Sequence, residues 1–233
     1  SLAFQILGSI CTRRCSFCAE TTGRPGAVDP AEPDKLAEAV RRLQLKHVVI
    51  TSPARDDLDD QGASQFAACV RALRGAMPEV TVETLTPDFQ GREDLLNIVF
   101  AEKPDIFNHN IETVRRLTPT VRARATYDRS LSVLKLAAAA GRTTKSGFMV
   151  GLGESWDEVE TALRDLKDVG VRAITVGQYL PPTPAHLAVN RFYSLEEFGR
   201  LRALAQPLFK RVQVGPLVRS SYHAEEGREN HVL

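Results

Sequence analysis

Ala3-Phe4-Gln5-Ile6-Leu7-Gly8-Ser9-Ile10-Cys11-Thr12-Arg13-Arg14-Cys15-Ser16-Phe17-Cys18 joins a short apolar run to three cysteines within eight residues. The apolar run predicts a strand over 3–9, and the cysteines fall in the loop that follows it. Three thiolates in one tight loop suit three irons of a cubane cluster and leave the fourth iron open. An open iron is a place for a small molecule to chelate through an amine and a carboxylate. Structural zinc, the competing reading, usually takes four ligands from two separated pairs, and the chain has no second pair. The fourth cysteine, Cys69, shares a helical apolar stripe with Phe66 and Val70, where a free thiol behaves as a small hydrophobe.

Outward from this loop, short β-branched runs alternate with longer amphipathic ones. The pattern predicts further strands over 47–51, 80–85, 105–109, 144–150, 172–177 and 211–214. Helices are expected near 33–44, 62–75, 92–102, 127–140, 156–168 and 194–209. In 156–168, Val159, Ala162, Leu163 and Leu166 repeat at the helical period, with Asp157, Glu160, Arg164 and Lys167 opposite them. Ser155 with Glu158, and Ser194 with Glu197, read as capping boxes, and Gly170 as a left-handed cap. Strand–helix alternation on this scale implies a parallel sheet with right-handed crossovers. The fold class is α/β, a partial (β/α)6-type TIM barrel, and chemistry in such barrels sits at the C-terminal ends of the strands. One domain is expected over 1–226, followed by a polar tail over 227–233.

Composition narrows the partners. The 233 residues carry 30 basic and 29 acidic side chains, a net charge of +1, so no strong field gathers nucleic acid or an anionic membrane. The longest apolar stretch, 134–140, is too short to span a bilayer. No signal peptide is visible, because the chain opens on a strand. Clustered cysteines without a secretion signal point to a reducing compartment, the cytoplasm. A core strand at the first residue leads us to expect a segment preceding Ser1.

The residues just past each strand supply the remaining candidates. After 47–51, the hydroxyls of Thr51 and Ser52 are placed to meet an amine or a carboxylate, and Asp56 and Asp57 alternatively cap the next helix. After 105–109, Asn108, Asn110 and Glu112 alternate along an extended segment and face one way, an array suited to sugar hydroxyls. His109 faces the other way and reads as structural. After 144–150 comes Gly147-Phe148-Met149-Val150-Gly151-Leu152-Gly153-Glu154, where Gly151 and Gly153 let backbone approach a flat ligand. Lys145 and Ser146, just before it, have no assigned role, and a solvated lysine fits the pattern. Gly215 to Ala224 is a loop with small hydroxyl residues.

The cysteine spacing, with Phe17 before the last cysteine and a strand before the first, resembles the radical S-adenosylmethionine superfamily. That resemblance implies a 4Fe–4S cluster on Cys11, Cys15 and Cys18, with S-adenosylmethionine on its open iron. It further implies reductive cleavage to a 5′-deoxyadenosyl radical that abstracts hydrogen from an unactivated carbon. The Asn108–Glu112 stretch resembles the ribose-contacting segment of biotin synthase and lipoyl synthase, and the Gly147–Glu154 run resembles the superfamily's adenine-side pattern. On that reading Asn108, Asn110, Glu112, Gly151, Gly153, Thr51 and Ser52 bind cofactor.

Arg219-Ser220-Ser221-Tyr222-His223-Ala224 is similar to the C-terminal signature of the lipoyl synthase family. Thr12-Arg13-Arg14, Thr144-Lys145-Ser146-Gly147, Pro87-Asp88-Phe89-Gln90-Gly91 and Gly177-Gln178-Tyr179-Leu180 match the same family. The resemblance implies insertion of two sulfurs, at C6 and C8 of a protein-bound octanoyl-lysine. It implies Ser221, with Ser220 as the alternative, as ligand of an auxiliary 4Fe–4S cluster. Implied partners are an octanoylated lipoyl-carrier domain (a dehydrogenase E2 subunit or glycine-cleavage H protein) and an electron donor such as flavodoxin or ferredoxin. The family's other three auxiliary ligands, C-x4-C-x5-C upstream of the radical motif, do not occur in these 233 residues. A missing N-terminal segment is therefore expected; a biotin-synthase-like enzyme or a noncatalytic iron–sulfur scaffold is the alternative.

Overall fold

A computed structural model describes residues 1–221 of the chain; Tyr222 onward, including the end of the C-terminal signature and the expected tail, lies outside the described residues. Seven strands, all parallel, form one sheet. They are β1 (Leu2–Gln5), β4 (His47–Thr51), β5 (Thr81–Leu85), β6 (Ile106–Asn108), β7 (Thr143–Val150), β8 (Ala173–Gln178) and β9 (Arg211–Gly215). They lie side by side in chain order, with β1 and β9 at the edges. Two short strands, β2 (Ile10–Cys11) and β3 (Thr21–Thr22), pair with each other beside the cysteine loop. The helices between strands are α1 (Glu32–Arg42), α2 (Ala63–Ala76), α3 (Glu93–Ala101), α4 (Thr118–Val121), α5 (Tyr127–Ala139), α6 (Trp156–Asp168) and α7 (Leu195–Ala205). Sequential order with crossovers of one hand puts the helices on one face. This is the partial (β/α)6 barrel that the alternation implies.

Strand alternation then sorts the side chains. Val48, Ile50, Val82 and Phe107 point outward and pack under α1, α2, α3 and α5, where burying each large apolar side chain contributes roughly 1.5–3 kcal/mol. A second cluster collects Phe148, Val150, Val176, Leu163 and Leu201 under α6 and α7. Helix α5 serves both, giving Val133 and Ala137 to the first and Leu134 to the second. Several inward positions are polar. His47, Glu83, Asn108 and Lys145 are buried inside the barrel, beneath the strand ends.

Both expected capping boxes are present, at Ser155–Glu158 and Ser194–Glu197, and Gly170 adopts φ +91° after α6. The first strand ends at Gln5, short of the expected 9, because Leu7 and Gly8 turn the chain with φ of +66° and +83°. Elements β2, β3, α4 and a 3-10 turn over Phe89–Gly91 are too short to leave a periodic pattern. Helix α7 stops at Ala205, where the expected helix ran to 209.

Candidate active site

The cysteine loop is fastened to the barrel by an arginine inside it. Arg13 is buried, its guanidinium giving two hydrogen bonds to Asp56 at 2.8 and 2.7 Å and contacting Asp88 at 2.7 Å. Burial works against the Asp88 carboxylate, yet the hydrogen bond and charge of Arg13 hold it down at about 2. Thr12 bonds the carbonyl of Ala54 and the Asp56 carboxylate. Asp56 is thus the anchor of the cysteine loop, not a cap of the following helix. Asp57 pairs with Arg55, and the carboxylate that receives the amides at the start of α2 is Asp60. On the other side, Ser16 N donates to the Val121 carbonyl, and Leu187 N donates to the Ser16 carbonyl.

Cys11, Cys15 and Cys18 are half-buried and unbridged, and they line one cavity of about 350 Å³, a size usual for small-molecule sites. Burial pushes the Cys18 thiol up to about 11 and the Cys15 thiol upward as well. A bound cation reverses this, since coordination deprotonates a thiol outright. Among the described residues no three or more His, Cys, Asp or Glu side chains gather around one point as a single metal ion requires. Three spread thiols fit a cubane, which takes one thiolate per iron. Cys69 is fully buried on α2 in the first core cluster, and burial raises its thiol to about 12.

Facing the cysteines are Asn110 and Glu112, which line this cavity and an adjoining one of about 390 Å³. Glu112 has φ +65°, its N–H donates to the Gly147 carbonyl, and its carbonyl receives the Met149 N–H. Burial raises the Glu112 carboxyl, against the pull of Arg122 and a hydrogen bond from Asn110. Arg122 is buried beside it, bonded to the Ile111 carbonyl and to Ser130. Ser52 and Thr86 also stand on the wall, and their buried hydroxyls have no hydrogen-bond partner. Orphaned hydroxyls beside three thiols suit a ligand with amine and carboxylate groups.

The adjoining cavity is walled by Gly147, Thr175, Gly177 and the segment Val218–Ser221. A methyl group at Gly147 would lie 2.4 Å from Thr175 Oγ1 and 3.1 Å from Asn110 Oδ1. Those two glycines keep the floor flat. Gly151 and Gly153 are placed differently. Gly151, at φ +98°, leaves room for Gln178 and the Arg191 carbonyl, and Gly153 lies beside Asn190. Both lie against the strap over 179–194. Glu154 receives the Gly151 and Leu152 N–H groups and the Tyr193 hydroxyl, which fixes the turn.

The expected residues are therefore gathered in part. The cysteines, Thr51, Ser52, Asn110, Glu112 and Ser221 line the two cavities. Asn108 faces the same way but sits beneath them, fully buried, donating to Glu83 at 2.7 Å and to the Ser220 hydroxyl at 2.9 Å. His109 packs outward with both ring nitrogens engaged, by the Thr86 carbonyl and Ser130. Lys145 is not solvated: its ammonium is buried against Glu83. Glu83 and Arg122 are the residues that sequence reasoning missed. The signal for Glu83 was a lone carboxylate inside the apolar run Val80–Leu85; Arg122 left none.

Comparison with known proteins gives a consistent result. A family model described as the Radical SAM superfamily matches residues 6–166. A lipoyl synthase of Rubrobacter xylanophilus is 53% identical over 97% of this chain and 72% of its own length. One from Pyrobaculum calidifontis is 55% identical over 96% of the chain and 78% of its own length. Among solved structures, methylornithine synthase superposes with a TM-score of 0.70 at 17% identity, covering 90% of this chain and 63% of that one. Streptococcus suis SuiB bound to S-adenosylmethionine gives 0.71 at 12% identity, covering 91% of this chain and 49% of that one. These structural likenesses concern the fold.

Proposed function

The chain belongs to the lipoyl synthase family of the radical SAM superfamily, and from that premise we propose how its residues serve sulfur insertion at C6 and C8 of a protein-bound octanoyl-lysine. Cys11, Cys15 and Cys18 hold a 4Fe–4S cluster and leave one iron for S-adenosylmethionine. When bound, this pair of cofactors supplies the 5′-deoxyadenosyl radical that removes hydrogen from the acyl chain. Arg13, fixed by Asp56 and Asp88, keeps the thiols in place. Asn110 and Glu112 receive the ribose, with Asn108 supporting them from below. Thr51 and Ser52 meet the amino-acid end, Gly147 and Gly177 make the flat floor, and the turn at Gly151 and Gly153 closes the adenine side. The observation that carries this reading is that the three thiols and Asn110 and Glu112 face one another across a single cavity.

Ser221 is the protein ligand we assign to the family's auxiliary cluster. The Ser220 hydroxyl is already engaged, accepting from Asn108 and donating to Asn110. Ser221 makes no side-chain hydrogen bond among the described residues and lines the cavity. The other donors for that cluster do not occur in these 233 residues. The described residues form one barrel domain in this reading, and residues 222–233 lie outside them. An octanoylated lipoyl-carrier domain is the substrate, a flavodoxin or ferredoxin the reductant and the cytoplasm the compartment. Among the described residues no helix is long and apolar enough to cross a membrane.

Anaerobic reconstitution with iron and sulfide tests the assignment. We expect about four irons per chain and 5′-deoxyadenosine on adding dithionite and S-adenosylmethionine. Cys15→Ala should abolish that product and Cys69→Ala should leave it largely intact. Equal losses in the two variants would contradict the division of the cysteines, and a wild-type protein that makes no 5′-deoxyadenosine would refute the radical reading.

A further inference from the structure

Inside the barrel, beneath the cavity, lies a charged pair that the chemistry above leaves unused. Lys145 on β7 and Glu83 on β5 are both buried, and the ammonium reaches the two carboxylate oxygens at 3.0 and 3.2 Å. Asn108, on the strand between them, gives one amide N–H to the same carboxylate. A lysine ammonium has three donors. Two go to Glu83, and the third reaches out of the barrel to the Ser220 carbonyl at 2.7 Å. The second amide N–H of Asn108 goes to the Ser220 hydroxyl at 2.9 Å, and that hydroxyl lies 3.3 Å from Asn110 Oδ1. Ser220 is therefore held at both its carbonyl and its hydroxyl. Close packing reinforces the hold: a methyl group at Gly177 would come within 2.3 Å of the Val218 carbonyl.

A buried ion pair is weak ground for stability, because apolar residues of similar volume often serve as well or better. What this pair supplies is geometry. It completes its own hydrogen bonding only when the C-terminal segment is docked, and the docked segment in turn touches the cofactor-facing residue Asn110. We propose that Lys145 and Glu83 are positioning residues that seat the Ser220–Ser221 segment on the cavity, and that Ser220 is the joint coupling this seat to Asn110. The significance of placing Ser221 rests on its reading as a cluster ligand; the seat itself does not.

The test separates positioning from stability. The double variant E83L/K145M replaces both charges with apolar groups, and S220A removes the hydroxyl that joins Asn108 to Asn110 while leaving the Ser220 carbonyl on Lys145. For the reconstituted full chain we expect the double variant to fold and to melt in a single cooperative transition. Its backbone amides over 217–221 should exchange hydrogen at least about tenfold faster, with the sheet unchanged. In dithionite-driven formation of 5′-deoxyadenosine, both variants should raise KM for S-adenosylmethionine about fivefold with kcat little altered. Wild-type exchange over 217–221 in a double variant that still folds would overturn the proposal. If the double variant does not fold, S220A decides through the joint: an unchanged KM for S-adenosylmethionine overturns the proposal as well. A wild-type protein without 5′-deoxyadenosine would count against the radical reading alone, since the exchange measurement needs no turnover.

Discussion

Arg13 and His109 show how single side chains hold the site. Removing the guanidinium in Arg13→Met leaves the Asp56 and Asp88 carboxylates, both under a tenth exposed, without their principal cation. Such a loss costs about 3–5 kcal/mol, so the variant should melt well below the wild type and retain less iron after reconstitution. His109 has the opposite character: burial pushes its ring down to about 4 from 6.5, and it is neutral in the fold. Between those values the unfolded chain binds a proton that the folded chain refuses, so stability rises with pH across that window and is lost on acidification through it. The effect reaches about 3 kcal/mol. Denaturant titrations at pH 7 and pH 4.5 should show it, and His109→Gln should flatten the difference. Asp88, held near 2, adds a second loss below about pH 4. At this scale the cysteines were plain in the sequence because their spacing is local. The ion pair of Lys145 with Glu83 was not, since partners 62 positions apart meet only through strand register.

Helices and turns were the most legible elements. The capping boxes at Ser155 and Ser194 are local hydrogen-bond patterns, and both formed as read. Ser155→Ala should destabilise the fold by about 1 kcal/mol, visible as a modest drop in melting temperature with cofactor binding unchanged. Glycines were harder. The run after β7 suggested that Gly151 and Gly153 face a ligand, yet their space is used by Gln178, the Arg191 carbonyl and Asn190. Which face a glycine opens depends on what crosses over it, and the distant strap over 179–194 leaves no mark on the turn. Gly147→Ala is therefore the informative substitution. Its methyl would displace Thr175 or Asn110, and we expect weaker S-adenosylmethionine binding in an equilibrium titration while Gly153→Ala, despite its φ of +106°, affects mainly stability.

The whole molecule was readable from its rhythm: alternating strands and helices gave the parallel sheet, and rules of hand and order gave the barrel. Its polar interior was not readable, because residues such as Glu83 and Lys145 sit in strands whose outward faces look like any buried strand. The two adjoining cavities draw their walls from both ends of the sheet, with Cys11 and Thr51 lining one and Gly147 and Gly177 the other. A ligand across them should stabilise the entire fold. With S-adenosylmethionine at about 100 times its Kd the gain is about 2.7 kcal/mol, measurable as a single, shifted thermal transition in the reconstituted protein. The strand order carries one more consequence, for synthesis on the ribosome. Because each strand of the main sheet pairs with the one made just before it, the sheet can grow as the chain emerges, without waiting for distant partners. The cysteine loop is made well before the serine segment, so a nascent chain holds its thiols before residues 218–221 can wall the adjoining cavity.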